Sequence, residues 1–241
     1  MNFAIITQQL VSGMGSSLMI FVLTLLFSMP LGLLVAFGRM SKIKPLQAVI
    51  KVFIAILRGT PLMLQLLVVN FAPYYLFRIS LPRWYRFAAI IIGFSINYAA
   101  YFAEIYRSGI ESIPKGQYEA ASVLGYNKNQ TFFRIIFPQM VKRVLPPVTN
   151  EVITLVKDTS LAFVLAYEEM FTVAKQIASA RTSIMPLFVA GVFYFIFNGV
   201  VAFAMERIEK KHVYDSLIRI EQDWRGVWVK SFNPFMDKNY L

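Results

Sequence analysis

The chain has 241 residues, of which 57% are hydrophobic and only 15% are charged, whereas an ordinary soluble domain has about 25% charged residues. The sequence contains no cysteine, which excludes disulfides and thiolate metal sites, and it contains neither a Walker A loop nor a metal-ligand spacing. The net charge of +11 would indicate nucleic-acid binding in a soluble protein, but in a membrane protein the placement of the charge matters more.

These features predict a membrane protein that does no covalent chemistry, needs no cofactor of its own and binds no nucleic acid. The single histidine, His212, lies in a charged tail and is expected to be a solvated surface residue.

Uncharged or nearly uncharged runs of about 20 residues predict helices that cross the hydrocarbon core. The second run is expected to extend back toward Leu46 as a tilted or broken helix. The fourth is less apolar because it contains Glu151, Lys157 and Asp158. The chain is therefore predicted to have five spans, at Leu18–Phe37, Gly59–Phe77, Phe87–Ala103, Val148–Ala166 and Thr182–Met205.

The basic residues predict the orientation of these spans. Most Lys and Arg residues lie after the first span, between the third and fourth spans, and in the tail, whereas few lie in the other two loops. The positive-inside rule then places the N-terminus outside and the C-terminus in the cytoplasm. The expected organisation is a membrane domain at 1–205, with a cytoplasmic loop at 108–145, and a tail of unknown role at 206–241.

The cytoplasmic loop has the pattern of a short helix, a tight turn and a second helix. Residues Gln117–Leu124 contain good helix formers, Gly125 suits the left-handed residue that ends a helix, and Asn127 can cap the next helix. Pro138 is expected to stop the second helix near Phe137. The alternative is an ordinary connecting loop, although such loops are usually shorter or irregular.

Four blocks of sequence resemble a known family. Glu119-Ala120-Ala121, followed by Gly125 and then by Ile135-Ile136-Phe137-Pro138, resembles the signature of permease subunits in bacterial ABC importers. Phe137 stands where leucine is usual. The blocks Leu57–Leu62, Ala100–Ala121 and Leu145–Leu161 resemble, in the same order, the permeases for polar amino acids such as His, Gln, Glu, Arg, Lys, cystine and opines.

The resemblance implies a type I ABC importer permease fold in a prokaryotic cell membrane. It implies that Glu119, Ala120, Ala121 and Gly125 couple this chain to a dimer of ATP-binding subunits, which bind the ATP and Mg²⁺. It further implies a second permease copy or paralogue, an extracellular solute-binding protein and an amino acid as substrate. The segment Glu168–Arg181 is then external and either meets the binding protein or packs on the permease alone.

Polar residues within the spans are candidates for the substrate path, because polar groups in a bilayer are costly. Asn97, Tyr101 and Glu104 share one predicted helical face with Ser108, and Glu151 shares another with Thr154 and Asp158. Asp158 suits the ammonium group of an amino acid and Lys157 its carboxylate, particularly if the helix breaks there. The predicted path residues are Asn97, Tyr101, Glu104, Glu151, Lys157, Asp158 and Ser160, the last from the same Lys-Asp-Thr-Ser-Leu block.

Other interpretations remain open for these residues and for the chain. The polar side chains can instead pair between helices without touching solute, and Arg58 can extend to the membrane interface or form an ion pair with another span. The alternative function is an ion-coupled secondary transporter, which would need no cytoplasmic docking helix and often has repeated spans. A membrane scaffold without a solute path is a further alternative.

Overall fold

The computed structural model describes residues 3–211, and all regular structure within them is helical. The prediction of an all-α protein is therefore confirmed for this part of the chain, whereas His212 and the rest of the tail lie outside it. In chain order the elements are α1 (Phe3–Arg39), α2 (Lys44–Gly59), α3 (Leu62–Phe77), α4 (Tyr85–Glu111), α5 (Lys115–Val123), α6 (Lys128–Gln130), a π-helical segment (Thr131–Ile136), α7 (Phe137–Asp158), a 3₁₀ segment (Thr159–Leu165), α8 (Met170–Arg181) and α9 (Met185–Glu209).

Helix α4 forms the centre of the molecule. It has the largest number of buried residues of the described helices, and α1, α3 and α7 pack against it. Small residues allow the close approach: a side-chain carbon at Gly32 would lie 2.8 Å from Phe102, and one at Gly109 would collide with Val144. The described chain thus surrounds one apolar helix, whose C-terminal end leads through three residues into α5.

Three described helices are long and apolar enough to cross a membrane: Ile5–Arg39, Tyr85–Glu111 and Met185–Glu209. The pair α2 and α3 adds a fourth if it counts as one broken span. The predicted fourth span, Val148–Ala166, corresponds to the second half of α7 and the 3₁₀ segment. Its charged residues lower its apolar character, so the count of five spans and the orientation of the termini stay predictions.

The second predicted span is divided by a sharp break. Helices α2 and α3 meet at an angle of 111° across Thr60 and Pro61. In a continuous helix the carbonyl of Leu57 would accept a hydrogen bond from the residue four positions later, but that residue is Pro61, which has no N–H. The sequence therefore removes a ladder hydrogen bond at this position, and side chains elsewhere satisfy the free carbonyl.

The prediction that Pro138 ends the second helix of the cytoplasmic loop is wrong. Pro138 is the second residue of α7, so the helix continues through it. The preceding π-helical segment, Thr131–Ile136, continues the helical path into α7, and the N–H of Phe137 donates to the carbonyl of Phe132. The wider π turn lets the helix pass the proline without stopping.

Candidate functional site

Helix α5 and the turn after it form an exposed element at one end of the helical bundle. The helix begins after Pro114 and ends at Val123, close to the predicted Gln117–Leu124. Gly125 has a φ of 76°, so the predicted left-handed turn residue is confirmed. The side chain of Asn127 accepts a hydrogen bond from the N–H of Gln130, whose own side chain accepts one from the N–H of Asn127, which confirms the predicted cap.

The four residues that resemble the coupling signature differ in exposure. Ala121 is 1% exposed and faces the protein, whereas Glu119, Ala120 and Gly125 are exposed. Two large apolar side chains between Ala121 and Gly125 are also exposed, Val123 by 88% and Leu124 by 72%. A surface helix that buries one alanine and exposes adjacent apolar side chains suits contact with another protein.

A second cluster surrounds the break between α2 and α3. The amide nitrogen of Asn97 donates to the carbonyl of Leu57 at 3.1 Å and to the side-chain oxygen of Gln65 at 2.9 Å. The amide nitrogen of Gln65 in turn donates to the carbonyls of Leu57 and Thr60. Two side-chain amides thus replace the hydrogen bond that Pro61 cannot make, which gives Asn97 a structural role, while its place in a substrate path stays a prediction.

Replacing Asn97 by Ala is expected to destabilise the protein by about 1–3 kcal/mol, because it removes a donor from the carbonyl of Leu57 and from Gln65 in a buried site. Ser95→Ala is the matched control on the same helix. The hydroxyl of Ser95 is buried without a hydrogen-bond partner among the described residues, so its removal should be neutral or stabilising. Thermal unfolding of the purified protein measures both, and equal unfolding temperatures for the two variants would contradict this role.

Three of the other predicted path residues, Tyr101, Glu151 and Asp158, lie on α4 and α7 near the end of α2. The hydroxyl of Tyr98 donates to Asp158 at 2.8 Å, at the point where α7 ends and the 3₁₀ segment begins. The guanidinium carbon of Arg58 lies 5.1 Å from the centre of the Tyr101 ring, and its charge attracts the carboxylate of Glu151. The result is a partly buried group of two carboxylates, one guanidinium and two tyrosines, suited to a zwitterion or a cation.

Three predicted path residues, Glu104, Lys157 and Ser160, are not part of the group around Asp158. Glu104 accepts hydrogen bonds from Arg107 at 2.7 and 3.0 Å and lies 3.8 Å from Arg39, so it links α1 and α4 electrostatically. Lys157 is exposed, and the hydroxyl of Ser160 donates to its carbonyl at 2.8 Å. The α-helix changes to a 3₁₀ helix after Asp158, and no ion pair joins Lys157 to Asp158 within residues 3–211.

Sequence reasoning missed Arg58 and Tyr98 as members of the group around Asp158, and Gln65 as a member of the cluster at the break between α2 and α3. The tyrosine-rich stretch before Glu104 was a signal for Tyr98, and the Gly-Thr-Pro break was a signal that an amide nearby must satisfy a carbonyl. Neither signal identifies the partner, because Tyr98 and Asp158 are 60 residues apart in the chain.

A third polar cluster lies at the opposite end of the bundle, around Glu169. This carboxylate is fully buried and caps α8, accepting hydrogen bonds from the N–H groups of Phe171 and Thr172 at 2.7 Å. It also accepts from the hydroxyls of Thr172, Ser17 on α1 and Tyr194 on α9. Burial raises the pKa of Glu169 above its ordinary value, while these donors favour the ionised form and oppose the shift.

This cluster joins α8 to α1 and α9. Gly13 allows the contact, because a side-chain carbon there would lie 2.8 Å from the Cα of Met170. Of the two alternatives for the segment Glu168–Arg181, packing against the rest of the chain is therefore present, and contact with an external protein stays a prediction.

Glu169→Ala is expected to lower the stability of the protein by about 2 kcal/mol or more, since it removes a helix cap and leaves several buried donors unsatisfied. The neighbouring Glu168→Ala removes the same charge from an exposed position and should change the unfolding temperature little. Differential scanning fluorimetry of both variants in the same detergent compares them directly. If Glu168→Ala were as damaging as Glu169→Ala, the loss would come from the charge of the segment and not from the buried cluster.

Comparison with protein families gives one match that covers most of the chain. Residues 28–213 match the family described as the inner membrane component of binding-protein-dependent transport systems. The L-cystine transport system permease protein TcyB of Bacillus subtilis is 36% identical over 192 residues, which cover 79% of this chain and 80% of that protein. The arginine transport system permease protein ArtQ of the same organism is 30% identical over 203 residues, which cover 84% of this chain and 91% of that protein.

Solved structures show the same arrangement of helices. A crystal structure of an amino acid ABC transporter with histidines superposes with a TM-score of 0.77 and 30% sequence identity, covering 85% of this chain and 94% of that one. The MetNI methionine ABC transporter in an inward-facing conformation superposes with a TM-score of 0.68 at 16% identity, covering 88% of this chain and all of that one. The second similarity is at the level of the fold alone.

Proposed function

Because the chain belongs to the family of inner membrane components of binding-protein-dependent transport systems, we propose that it forms the amino-acid path of an ATP-driven importer. The membrane location follows from the family and the long apolar helices, and the type I permease fold follows from the structural similarities. Two ATP-binding subunits bind at the cytoplasmic side, a second copy or a paralogue completes the path, and an external binding protein delivers the amino acid.

The observation that carries this proposal is the exposed end of α5. Val123 and Leu124 are among the most exposed large apolar side chains of the described residues, and they lie between the signature residues Ala121 and Gly125. A monomeric surface rarely exposes adjacent apolar side chains without a partner. An ATP-binding subunit that closes on ATP binding would move α5, and α5 is joined to the central helix α4 by only three residues, Ser112 to Pro114.

The contacts of α5 support transmission of such a movement. The helix packs against the π-helical segment that leads into α7, and the side chain of Arg143 on α7 donates to the carbonyl of Ser112 at the end of α4. A displacement of α5 therefore acts on both helices that hold the Tyr98–Asp158 pair. The proposed mechanism is a change in the relative position of α4 and α7, which opens or closes the polar group between them.

The polar group supports an amino acid as the transported solute. An amino acid carries an ammonium and a carboxylate, and the group offers the carboxylates of Glu151 and Asp158 together with the guanidinium of Arg58. Charge-assisted hydrogen bonds to such groups are stronger than neutral ones. The relatives with cystine and arginine transport names agree with a polar or charged amino acid.

The test is reconstitution of the permease with its ATP-binding subunits in liposomes, with and without the binding protein. ATP hydrolysis and uptake are measured across a panel of amino acids that includes cystine, arginine, glutamine and histidine. The proposal expects uptake only when ATP is present on the side of the membrane that holds the ATP-binding subunits. It also expects that, in the presence of the binding protein, only some of the amino acids stimulate ATP hydrolysis. Uptake driven by a proton or sodium gradient without ATP would favour the secondary transporter instead.

A further inference from the structure

An apolar groove of about 340 Å³ lies between α1 and α7, and Tyr106 of α4 also lines it. Its volume lies within the usual range of ligand pockets, about 300–1,000 Å³. Apart from the tyrosine, its lining has only apolar side chains: Met29, Pro30, Leu33, Phe137, Met140, Val141, Val144, Leu145 and Val148. The groove is distinct from the polar group around Asp158 and from the exposed end of α5.

The groove lies near the end of the bundle that holds the loop 108–145. Helix α1 ends at Arg39, only six residues beyond the lining residue Leu33, which on a helix is about 9 Å. The rings of Phe37 and Phe132 are 6.0 Å apart, and Phe132 also contacts the lining residue Phe137 at 6.0 Å. The groove therefore lies beside the segment 108–145, which contains both Phe132 and Phe137.

Two basic side chains lie close in the chain to lining residues of the groove. Lys142 follows the lining residue Val141 and precedes the lining residue Leu145 by one helical turn, while Arg134 lies three residues before Phe137. Both are exposed, and neither makes an ion pair with another residue of the described chain. By contrast, the neighbouring Arg143 already donates to the carbonyl of Ser112.

We propose that this groove binds an anionic phospholipid of the cytoplasmic leaflet, with an acyl chain against Leu33, Val141 and Leu145 and the phosphate near Lys142 and Arg134. The assignment to this leaflet follows the orientation in the proposed function. Charge complementarity selects the occupant: an apolar groove with exposed, unpaired cations beside its lining residues fits a negatively charged lipid better than a zwitterionic one. Arg and Lys are also the side chains that bind phosphate oxygens best.

The test uses the assembled importer, purified in a mild detergent and mixed with equal amounts of phosphatidylglycerol and phosphatidylcholine. Native mass spectrometry then gives the ratio of the two lipids bound. The wild-type complex should retain phosphatidylglycerol at least about fivefold over phosphatidylcholine. In the double variant Arg134→Ala and Lys142→Ala, both at exposed positions, the ratio should fall to near one. The matched double variant Lys44→Ala and Lys51→Ala removes two exposed charges from α2 and should keep the wild-type ratio.

A second pair of variants tests the acyl-chain site. Leu33→Trp fills the groove and should reduce the number of lipids retained, whereas Leu34→Trp, whose side chain is 68% exposed on the same helix, should not. A wild-type ratio near one would overturn the proposal, as expected if a second copy or an ATP-binding subunit covers the groove. Equal effects of the two charge variants, or equal retention by the two Trp variants, would also overturn it.

Discussion

Replacing Gly125 by Val is expected to reduce uptake by at least about tenfold and to abolish the stimulation of ATP hydrolysis by the binding protein. Gly125 has a φ of 76°, where a side chain meets backbone strain even though nothing lies within 4 Å of the added carbon. For an L-residue this conformation costs about 1–2 kcal/mol, and a β-branched residue tolerates it least. A difference of about 1.4 kcal/mol already corresponds to a tenfold change in an equilibrium.

The strain acts on the geometry of the proposed coupling element. The turn is held by hydrogen bonds from the N–H of Gly125 to the carbonyl of Ser122 and from the N–H of Tyr126 to that of Ala121, each 3.0 Å long. If the turn relaxes into another conformation, these hydrogen bonds change and Val123 and Leu124 point elsewhere. The ATP-binding subunits would then meet an altered surface, while the membrane-embedded helices remain folded.

Gly116→Val is the matched control for this prediction. Gly116 also lies on α5 with nothing within 4 Å of an added side-chain carbon. Its backbone is helical, however, and valine has a helix propensity at least as high as that of glycine. Uptake should stay within about twofold of wild type in this variant. Co-purification of the ATP-binding subunits, uptake and hydrolysis are measured in parallel. Normal uptake by Gly125→Val would show that the turn is only a connector.

Asp158→Asn is expected to lower the uptake rate by about tenfold or more, with normal assembly of the complex. An asparagine at this position can still accept the hydrogen bond that the Tyr98 hydroxyl donates at 2.8 Å, so the main change is the loss of one negative charge. That charge is proposed to attract the ammonium group of the amino acid, and a charged hydrogen bond contributes about 1.5–3 kcal/mol. Uptake of labelled substrate into proteoliposomes, with the amount of assembled complex determined in the same preparation, measures the effect.

Tyr98→Phe separates the two roles of this pair. It removes the hydroxyl and keeps the charge of Asp158, so it tests positioning alone. If Asp158 serves only to hold Tyr98, the phenylalanine variant should be the more damaging and Asp158→Asn should transport normally. If the charge serves the substrate, the order is reversed. Unchanged uptake by Asp158→Asn would remove this residue from the path.

Local patterns were the reliable part of the sequence interpretation. The short helix before Gly125, the left-handed residue at Gly125 and the cap at Asn127 depend on residues within a few positions of one another, and the structure confirms all three, with the helix beginning two residues and ending one residue earlier than predicted. The stop predicted at Pro138 was wrong because the π-helical segment before it continues the helical path into α7. The same residue type thus ends a helix or lies within one according to the segment before it.

The amino-acid sequence by itself determined that the chain is helical and contains segments apolar enough to cross a membrane, because composition and long apolar runs do not depend on tertiary contacts. It also determined where the chain must turn, through Gly125 and through the missing N–H of Pro61. Only the tertiary structure decided which side chains meet. Asn97 and Leu57 are 40 residues apart, Tyr98 and Asp158 are 60, and Ser17 and Glu169 are 152. Such pairings are fixed by how whole helices pack around α4, and no local pattern encodes the rotation and depth of one helix against another.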